Sequence, residues 1–315
     1  MGLLLLLVSW LTFVELNCEN LFDCKHDSLK NDTEFTPDGL RHWTPYRYWR
    51  KLNQIAREII SCGEGIDGGV IPDIVALCEV ENDSVMYDLT RRSSLKALRY
   101  DYLMPPTSDN RGIGVALLYH RFSFAPLKYY SLSVQMPKGF RQTRDILYVS
   151  GRVMSGDTLH LFVVHAPSRY GGEHHSRPAR MAVARRLVKA LDSLNAICSS
   201  PHVIMMGDFN DVSKSASLAF LLSHGMANVS DGVKGRHGAG GTYRYQGKWE
   251  TIDHFFVSAP IAAKPYEIWI NDSPFLTVED KKYGGRKPHR TFIGYRYQHD
   301  GFSDHLPLVF RYSFR

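Results

Sequence analysis

The chain has 315 residues, of which 44% are hydrophobic and 22% are charged, and its formal net charge is +6. This composition is typical of a folded globular protein and excludes a long disordered or low-complexity chain. The modest positive charge suits a phosphorylated or polyanionic ligand but does not by itself identify a nucleic-acid-binding protein.

The domain organisation follows from the even composition. Because no break in composition divides the chain, we expect one domain over residues 11–315, preceded by an apolar segment at residues 1–10. The leucine run at residues 3–8 resembles the core of a secretory signal, but no basic residue precedes it and no cleavage site fits before Asn17. It is too short to span a bilayer. A trimmed signal, an uncleaved anchor and a strand extension all stay open, as do secreted or periplasmic and cytoplasmic locations.

The cysteines predict free thiols, not disulfides or a zinc site. Their number is odd, they lack the close pairing of metal ligands, and most lie in apolar segments. The five are Cys18, Cys24, Cys62, Cys78 and Cys198. We expect them to be buried.

Hydrophobic periodicity predicts the secondary structure in chain order. Apolar runs predict strands at 11–16, 72–78, 113–119, 146–149, 159–164, 203–206, 251–257 and 306–310. Apolar residues at helical spacing predict helices at 52–60, 86–98 and 178–197. The turn Gly156-Asp157 joins two of the strands as an antiparallel hairpin. Many strands with hairpin links and few long helices favour two packed sheets with helices outside over a doubly wound parallel sheet.

Polar residues cluster at the strand ends. The run at 203–206 leads into Gly207-Asp208-Phe209-Asn210-Asp211, where the glycine permits a turn or a close backbone approach. Taken alone, this stretch is equally well explained as an Asp/Asn-rich turn. The pattern recurs, however, at the ends of other strands, at Asn17, Glu19, Glu79, His165, Asp253, Ser303, Asp304 and His305. Carboxylates with amides are typical ligands of hard divalent cations such as Mg²⁺.

Six short motifs occur in this order along the chain: Asn17-Cys18-Glu19-Asn20, Cys78-Glu79, His165-Ala166-Pro167, Gly207-Asp208-Phe209-Asn210, Ile252-Asp253-His254 and Ser303-Asp304-His305. Together they resemble the endonuclease/exonuclease/phosphatase superfamily. The stretches Asn20-Leu21-Phe22-Asp23 and Gly207-Asp208-Phe209-Asn210-Asp211 resemble its bacterial branch in particular. The resemblance implies a four-layer α/β/β/α sandwich of two mixed, mainly antiparallel sheets with outer helices. It also implies hydrolysis of a phosphoester with one or two bound Mg²⁺ or Mn²⁺ ions.

The resemblance assigns a role to each motif. The residues implied on the metal side are Asn17, Glu19, Glu79 and Asp304, with Glu79 as the principal ligand. The residues implied in catalysis are His165, Asp208, Asn210, Asp253 and His305. Asp253 would hold His305, which acts as a base or as a cation beside the phosphate.

Attack on the phosphate is implied to depend on the remaining motif residues. Asp208 would orient or deprotonate the attacking water, while Asn210 and His165 would donate hydrogen bonds to the phosphoryl oxygens. Asp211 is interpreted as a turn-forming residue. Glu81 is a possible support for Glu79, although it could equally face solvent.

Three arginines are further candidates for holding the substrate phosphate. Arg144 precedes the strand that pairs with the His165 strand, so it can reach the same end of the sandwich. A surface salt bridge with Asp145 explains it equally well. Arg111 and Arg169 lie in loops at matching strand ends and are candidates of the same kind.

Other patterns have simpler interpretations. His174 and His175 are interpreted as part of a polar loop before a helix and not as a metal site. Ser303-Asp304-His305 holds the residue types of a hydrolytic triad, but immediate neighbours cannot converge on one point. Residues 281–296 interleave basic and aromatic side chains and are either a nucleic-acid-binding wall or a solvated loop.

The predicted function is metal-dependent hydrolysis of phosphoester bonds by an endonuclease or exonuclease acting on nucleic acid. The alternative is a phosphatase or phosphodiesterase for inositol or sphingolipid phosphates, because a fold alone does not select the substrate. A non-catalytic binding protein on the same scaffold is disfavoured, since every motif position holds a chemically competent residue. Neither a protein partner nor a transmembrane helix is predicted.

Overall fold

The computed structural model of the protein describes residues 10–64 and 69–314. The predicted apolar segment lies outside these residues, except for Trp10, which begins the first strand. The strands are β1 (Trp10–Leu21), β2 (Ile74–Val80), β3 (Asp101–Leu103), β4 (Gly114–Tyr119), β5 (Phe124–Leu132), β6 (Ile146–Val153), β7 (Thr158–His165), β8 (His202–Asp208), β9 (Met226–Asn228), β10 (Tyr243–Tyr245), β11 (Lys248–Glu250), β12 (Asp253–Ser258), β13 (Tyr266–Ile270), β14 (Thr277–Glu279), β15 (Arg286–Pro288), β16 (Phe292–Ile293), β17 (Arg296–Tyr297) and β18 (Leu308–Ser313). The helices are α1 (Pro45–Ser61), α2 (Asp83–Arg91), α3 (Glu173–Asn195), α4 (Ala216–Ser223) and α5 (Ala259–Ala262).

Two six-stranded mixed sheets form the frame. The first has the strand order β13-β18-β1-β2-β4-β3, and the second has the order β5-β6-β7-β8-β12-β9. The first sheet contains one parallel pair, β1 with β2, among antiparallel neighbours. The second contains the parallel pair β7 with β8, again among antiparallel neighbours. The two sheets are therefore built alike around a central parallel pair.

The sheets pack face to face over an apolar layer, and helices cover both outer faces. Fully buried residues of this inner layer include Phe13, Leu161, Phe255 and Phe310. Helices α1 and α2 pack on the outer face of the first sheet, and α3 and α4 pack on that of the second. The predicted four-layer sandwich is thereby confirmed.

Most predicted elements are present, including the antiparallel hairpin of β6 and β7. The sequence pattern does not predict β5 or α4. Strand β5 lies at a sheet edge, contains Pro126 and alternates poorly between buried and exposed positions. Helix α4 has only eight residues, nearly all of them apolar, so it carries no clear amphipathic stripe. The predicted helix at 86–98 is divided, because α2 ends at Arg91 and Ser94–Leu98 form a 3-10 turn.

The interpretation of His174 and His175 as loop residues is wrong. Helix α3 begins at Glu173, upstream of Pro178, so both histidines lie exposed in its first turn. Pro178 lies inside this helix, where it lacks the N–H that would bond to the His174 carbonyl oxygen, and the first turn forms in spite of this loss. Within the described ranges, no helix combines the length and apolarity needed to cross a bilayer.

All five cysteines are free, as predicted. Their predicted burial holds for Cys18, Cys62 and Cys78, whereas Cys24 is half-buried and Cys198 is exposed. Cys198 differs because it follows the end of α3, where the chain leaves the apolar layer.

Helix α1 buries a carboxyl group that gives a testable pH dependence. Glu58 is fully buried, and neither of its carboxylate oxygens has a hydrogen-bond partner among the described residues. Burial raises the pKa of Glu58 from 4.5 to about 8. Between these pH values the unfolded chain has lost the proton that the folded chain retains, so stability falls as the pH rises.

Because of Glu58, we expect the free energy of unfolding to fall by about 3 kcal/mol between pH 5 and pH 7.5. In the Glu58→Gln variant, the free energy of unfolding should lack this dependence on pH, whatever its value at pH 5. Urea unfolding of both proteins at the two pH values measures the difference, with the exposed Glu64→Gln as the control. Equal slopes for wild type and Glu58→Gln would contradict the prediction.

Candidate active site

The strand topology brings six polar strand ends to one edge of the sandwich. The parallel strands β1, β2, β7 and β8 end at this edge. Strands β12 and β18 run antiparallel to β8 and β1, so they begin there. The side chains predicted from the six motifs therefore meet in space, although they are spread over nearly 300 residues of sequence.

Glu79 stands on an irregular end of β2. The register between β2 and β4 shifts after Cys78, and Glu79 has a left-handed φ of 64°. Such a conformation is unfavourable for a residue with a side chain and is found at functional sites. The Glu79 Oε2 atom accepts a 2.8 Å hydrogen bond from the Asn20 backbone, and Oε1 lies 3.6 Å from His165 Nε2.

Asp208 lies at the centre of the site. Its Oδ2 atom accepts 3.1 Å hydrogen bonds from the amides of Asn17 and Asn210, and its Oδ1 atom accepts one from the Asn210 backbone at 2.7 Å. Burial, followed by the nearby Asp253 carboxylate, raises the pKa of Asp208 to about 7. Gly207 is required here, because a Cβ atom would lie 1.9 Å from the Val164 carbonyl oxygen.

Asn210 is held through the same amide that contacts Asp208. Its Nδ2 atom also donates a 3.0 Å hydrogen bond to the Ala166 carbonyl oxygen. Both donors of the amide are therefore directed at protein atoms, and in this structure Asn210 orients Asp208.

His305 and Asp253 form the predicted pair. The His305 Nδ1 atom lies 2.8 Å from Asp253 Oδ2, which also accepts a hydrogen bond from the Thr242 hydroxyl. Burial lowers the pKa of His305, but the Asp253 carboxylate outweighs it and the net pKa is well above the usual range. The raised pKa favours the protonated, imidazolium form of His305. The ring of Tyr243 packs on it with 4.9 Å between the ring centroids.

His165 has the opposite electrostatic character. Burial, together with the cationic groups of Arg111 and His305, lowers the pKa of His165 to about 3. Its ring is therefore neutral at pH 7, with Nε2 placed between Glu79 and Asp208 at 3.6 and 3.7 Å. Its buried Nδ1 atom has no hydrogen-bond partner among the described residues.

Asp304 and Glu19 are joined by an arginine. The Arg290 Nη2 atom donates a 2.7 Å hydrogen bond to Asp304 Oδ2, and its Nε atom lies 3.5 Å from Glu19 Oε1. Both Glu19 oxygens also accept backbone hydrogen bonds, from Thr291 at 2.5 Å and from Phe292 at 3.2 Å. Of these two acids, Asp304 lines the cleft described below.

Two of the three candidate arginines share one acidic partner. The Arg144 Nε atom lies 3.3 Å from Asp109 Oδ2, and the Arg111 Nε atom lies 3.6 Å from Asp109 Oδ1. Arg144 thus pairs with Asp109 and not with Asp145, and its side chain is only 8% exposed. Two guanidinium groups on one carboxylate leave a net positive charge. The third candidate, Arg169, pairs with both oxygens of Glu250.

These side chains line a cleft of about 760 Å³. Its lining includes Glu79, Asp208 and His305 together with the three arginines. Three aromatic rings complete the lining, those of Tyr170, Tyr243 and Tyr245. Because Tyr170 is 91% exposed, its ring stands free at the cleft.

The acidic side of the cleft fits a hard divalent cation. Among the described residues, none donates a hydrogen bond to Glu79 Oε1. Burial raises the pKa of Glu79, and the Asp304 carboxylate adds to this effect while Arg111 opposes it. Glu79 Oε1 therefore has no competing donor among the described residues, and carboxylate and amide oxygens are suitable ligands for Mg²⁺ or Mn²⁺. Asp208, Asp253 and His305 also have ligand atoms within 4.8 Å of one another, and within this cluster His305 is already hydrogen-bonded to Asp253.

Comparison with known proteins identifies the family. The sequence model described as "Endonuclease/Exonuclease/phosphatase family" matches residues 12–313. The chain belongs to this family. Endonuclease/exonuclease/phosphatase proteins are divalent-metal-dependent phosphoester hydrolases, and the chain is an enzyme of that class. The resemblance predicted from the six motifs is confirmed.

Solved structures share the endonuclease/exonuclease/phosphatase fold at low sequence identity. A family protein from Bacteroides thetaiotaomicron is 17% identical, with 98% of each chain covered and a TM-score of 0.62. A mannosyl-6-phosphatase from the same species is 17% identical, covering 96% of this chain and 100% of that one, with a TM-score of 0.62. Truncated TDP2 from Caenorhabditis elegans is 15% identical, covering 96% and 97%, with a TM-score of 0.56. A sequence search of curated proteins finds no match.

Glu15 is a buried acid near the cleft residue Asp208 and its neighbour Asp253, and sequence analysis of this endonuclease/exonuclease/phosphatase protein does not find it. Along β1, Leu11, Phe13 and Glu15 all point into the inner apolar layer, and Glu15 is fully buried. Burial, with the carboxylates of Asp253 and Asp208, raises the pKa of Glu15 well above its usual range. A neutral carboxyl group can donate a hydrogen bond to Asp253. The sequence feature that could reveal Glu15 is an acidic residue at an inward-facing position of an otherwise apolar strand.

Asp211 has a larger structural role than a turn-forming residue. It is buried, its Oδ2 atom lies 2.8 Å from Arg180 Nε, and it accepts a hydrogen bond from the Ser217 hydroxyl. Its carbonyl oxygen lies 2.9 Å from His254 Nε2. The loop that directly follows Asp208 is therefore fastened to α3, α4 and β12. The sequence feature that could reveal this network is Arg180, a charged residue on the buried face of α3.

Several other polar residues lie outside the cleft lining of this family member. Glu81 accepts a 2.6 Å hydrogen bond from the Asp23 backbone, and Ser303 donates its hydroxyl to the Asn17 carbonyl oxygen. In the segment at 281–296, Lys287 lies 3.5 Å from Asp280. The basic groups of this segment are thus partly used in internal pairs.

Proposed function

We propose that the chain hydrolyses phosphodiester bonds of nucleic acid with a bound Mg²⁺ or Mn²⁺ ion. The observation that supports this proposal is the single cleft that Asp208, His305 and Glu79 line together with arginine and tyrosine side chains. Arginine can bind phosphate, and exposed aromatic rings can stack on bases. A cleft of about 760 Å³ has room for more than a single phosphate group.

Each part of the proposed mechanism has a place in this cleft. Glu79 would hold the cation, with Asn17 and Asp304 nearby. When bound, the cation would neutralise negative charge on the departing oxygen. Asp208 would orient the attacking water and take its proton, because Asn17 and Asn210 fix its carboxylate.

The two histidines would act differently on the phosphate. The His305 imidazolium, held by Asp253, would stabilise the negative charge that develops during attack. The neutral His165 ring would donate a hydrogen bond to a phosphoryl oxygen.

A second candidate is hydrolysis of a terminal phosphate on a sugar or another small alcohol. The shared Asp109 leaves net positive charge on Arg111 and Arg144, which suits a dianionic phosphomonoester. One structure with this fold is a mannosyl-6-phosphatase, which is consistent with such a substrate. Inositol phosphates and sphingolipid phosphates are further alternative substrates, and the substrate panel below includes them.

A substrate panel distinguishes the candidates. It comprises single-stranded and duplex DNA, RNA, inositol phosphates, sphingomyelin and mannose 6-phosphate, each with Mg²⁺, Mn²⁺ or a chelator. The nuclease proposal expects metal-dependent cleavage of a nucleic acid at a rate well above that of any monoester. Faster turnover of a monoester would select the second candidate, and fastest turnover of sphingomyelin would refute both in favour of a lipid phosphodiesterase. No metal-dependent activity on any substrate would also refute both.

Replacement of Arg144 with methionine is expected to raise KM more than it lowers kcat. Loss of a charge-assisted hydrogen bond to a phosphate should weaken substrate binding by about 10–100-fold. Steady-state kinetics measure the effect, with Arg152→Met as a control because Arg152 is exposed on β6. A fall in kcat at unchanged KM would show that Arg144 does not act through ground-state binding.

A further inference from the structure

The arginines that line the cleft differ in how their charge is compensated. Arg111 and Arg144 share the single carboxylate of Asp109, so a net positive charge remains on them. Arg169 has a carboxylate of its own, because its Nη1 and Nη2 atoms each donate a hydrogen bond to one oxygen of Glu250. Arg169 and Glu250 thus form a neutral pair, from which an anionic phosphate gains less than from Arg111 and Arg144.

Both members of the neutral pair are accessible from the cleft. Their side chains are 23% exposed for Arg169 and 30% exposed for Glu250, and both line the cleft. A guanidinium carries more N–H donors, and a carboxylate more lone pairs, than this pairing uses. The neutral pair can therefore hydrogen-bond an uncharged group that has donors and acceptors of its own.

The hairpin of β10 and β11 places aromatic rings beside Glu250. Tyr243 pairs with Glu250 across the hairpin, and Tyr245 lies two residues along β10 from Tyr243. Because cross-strand partners and alternate residues share one face of a β-ribbon, these three side chains lie on the same side. All three line the cleft, and Tyr245 is 57% exposed. An open ring therefore accompanies the carboxylate.

The opposite face of the hairpin is fastened to the protein. Arg244 and Trp249 lie there, with 5.6 Å between the guanidinium carbon and the ring centroid. Arg244 is nearly buried and donates hydrogen bonds to the carbonyl oxygens of Gly247, Gly284 and Arg286. The side chains that face the cleft are therefore presented by an anchored element.

Tyr170 adds a ring from a separate loop. It follows Arg169 directly, is 91% exposed and lines the cleft. The strand order β7-β8-β12 places this loop beyond the end of β7 and places Glu250 ahead of the start of β12. The neutral pair thus joins the elements on either side of β8, whose end carries Asp208. A group that contacts the pair lies close to the group on which Asp208 acts.

We propose that the neutral pair and the rings of Tyr170 and Tyr245 form a subsite for an unpaired nucleobase beside the cleaved phosphodiester. The rings stack on the base, and the neutral pair hydrogen-bonds the edge that a complementary base occupies in a duplex. The subsite therefore selects single strands over duplexes. The inference rests on the proposed nucleic-acid function and adds the part of the substrate that is recognised besides the phosphate.

Binding of a short DNA strand with and without bases tests the proposal. The probes are a fluorescently labelled single strand and the same sugar-phosphate backbone with abasic residues. Fluorescence anisotropy of the full-length protein with EDTA gives both Kd values without hydrolysis. We expect wild type to bind the base-bearing strand about 10-fold more tightly, since stacking on an aromatic side chain has effects of this order. The ratio of the Kd values isolates the bases, because a change in phosphate binding affects both strands.

Tyr170→Ala and Glu250→Gln should each lower this ratio several-fold. The matched controls are Tyr129→Ala, at a half-exposed tyrosine of β5, and Glu267→Gln, at an ion pair with Arg311 on β13 and β18. Both controls lie away from the cleft and should leave the ratio unchanged. Thermal unfolding establishes that each variant is folded.

Equal affinity of wild type for the two strands would overturn the proposal, as would an unchanged ratio in folded Tyr170→Ala or Glu250→Gln. Tighter binding of the corresponding duplex than of the single strand would also overturn it. Hydrolysis with Mg²⁺ or Mn²⁺ judges the proposed function separately. Cleavage of nucleic acid without base-dependent binding would refute the subsite alone, and base-dependent binding without cleavage of any nucleic acid would refute the function alone.

Discussion

Replacement of Asp208 with asparagine is expected to lower kcat by about 10³-fold, since a positioned acid or base typically contributes about 10²–10⁴ in rate. The two side chains have nearly the same shape, so the fold should persist. Asparagine still fits among Asn17 and Asn210 but cannot take a proton from water. Initial rates on the best substrate of the panel measure the effect, and thermal unfolding confirms the folded state.

The exposed Asp192→Asn on α3 is the matched control, because it makes the same chemical change away from the cleft. Combining Asp208→Asn with His305→Ala probes whether the two groups act on one step. If they do, the double variant should lose little more activity than the worse single variant. Near-normal turnover by folded Asp208→Asn would remove Asp208 from the proposed mechanism.

The sequence predicts the fold and the set of residues that meet, because both depend on strand ends. Apolar runs locate the strands, and polar residues that follow β1, β2, β7 and β8 must gather at one edge of the sandwich. Asp253 and His305 join them because their strands begin at that edge. These relations follow from strand direction alone and need no knowledge of side-chain contacts.

Contacts across the fold are not predictable in the same way. Arg290 belongs to a basic and aromatic stretch, and only the folded chain shows that Glu19 and Asp304 receive it. Glu15 resembles any polar interruption of a strand until its neighbours in the second sheet are known. Contacts between residues so far apart in the sequence depend on how the two sheets are packed. Hydrophobic periodicity along the sequence does not indicate this packing.

Substrate choice depends on a different part of the molecule from the fold. Strand ends supply Glu79, Asp208 and His165 to the cleft, whereas Arg111, Arg169 and Tyr170 line it from loops. Differently named proteins share this fold, among them TDP2 and a mannosyl-6-phosphatase. The loops of this chain must therefore be tested directly with substrates.

Replacement of Arg180 with methionine is expected to destabilise the protein by about 3–5 kcal/mol, the usual cost of leaving one member of a buried ion pair without its partner. The Arg180 Nε atom lies 2.8 Å from Asp211 Oδ2, and both side chains are almost fully buried. Urea unfolding measures the loss. The exposed Arg177→Met, on the same helix, should have little effect and serves as the control.

A second substitution separates the charge from the packing of this pair. Adding Asp211→Asn to Arg180→Met removes the unpaired carboxylate and should recover part of the lost stability. Because Asp211 is in the loop that directly follows Asp208, Arg180→Met should also lower kcat at temperatures where the variant is folded. Equal stability of Arg180→Met and Arg177→Met would show that the pair does not fasten the loop. Normal kcat in a destabilised Arg180→Met would show that Asp208 keeps its position without it.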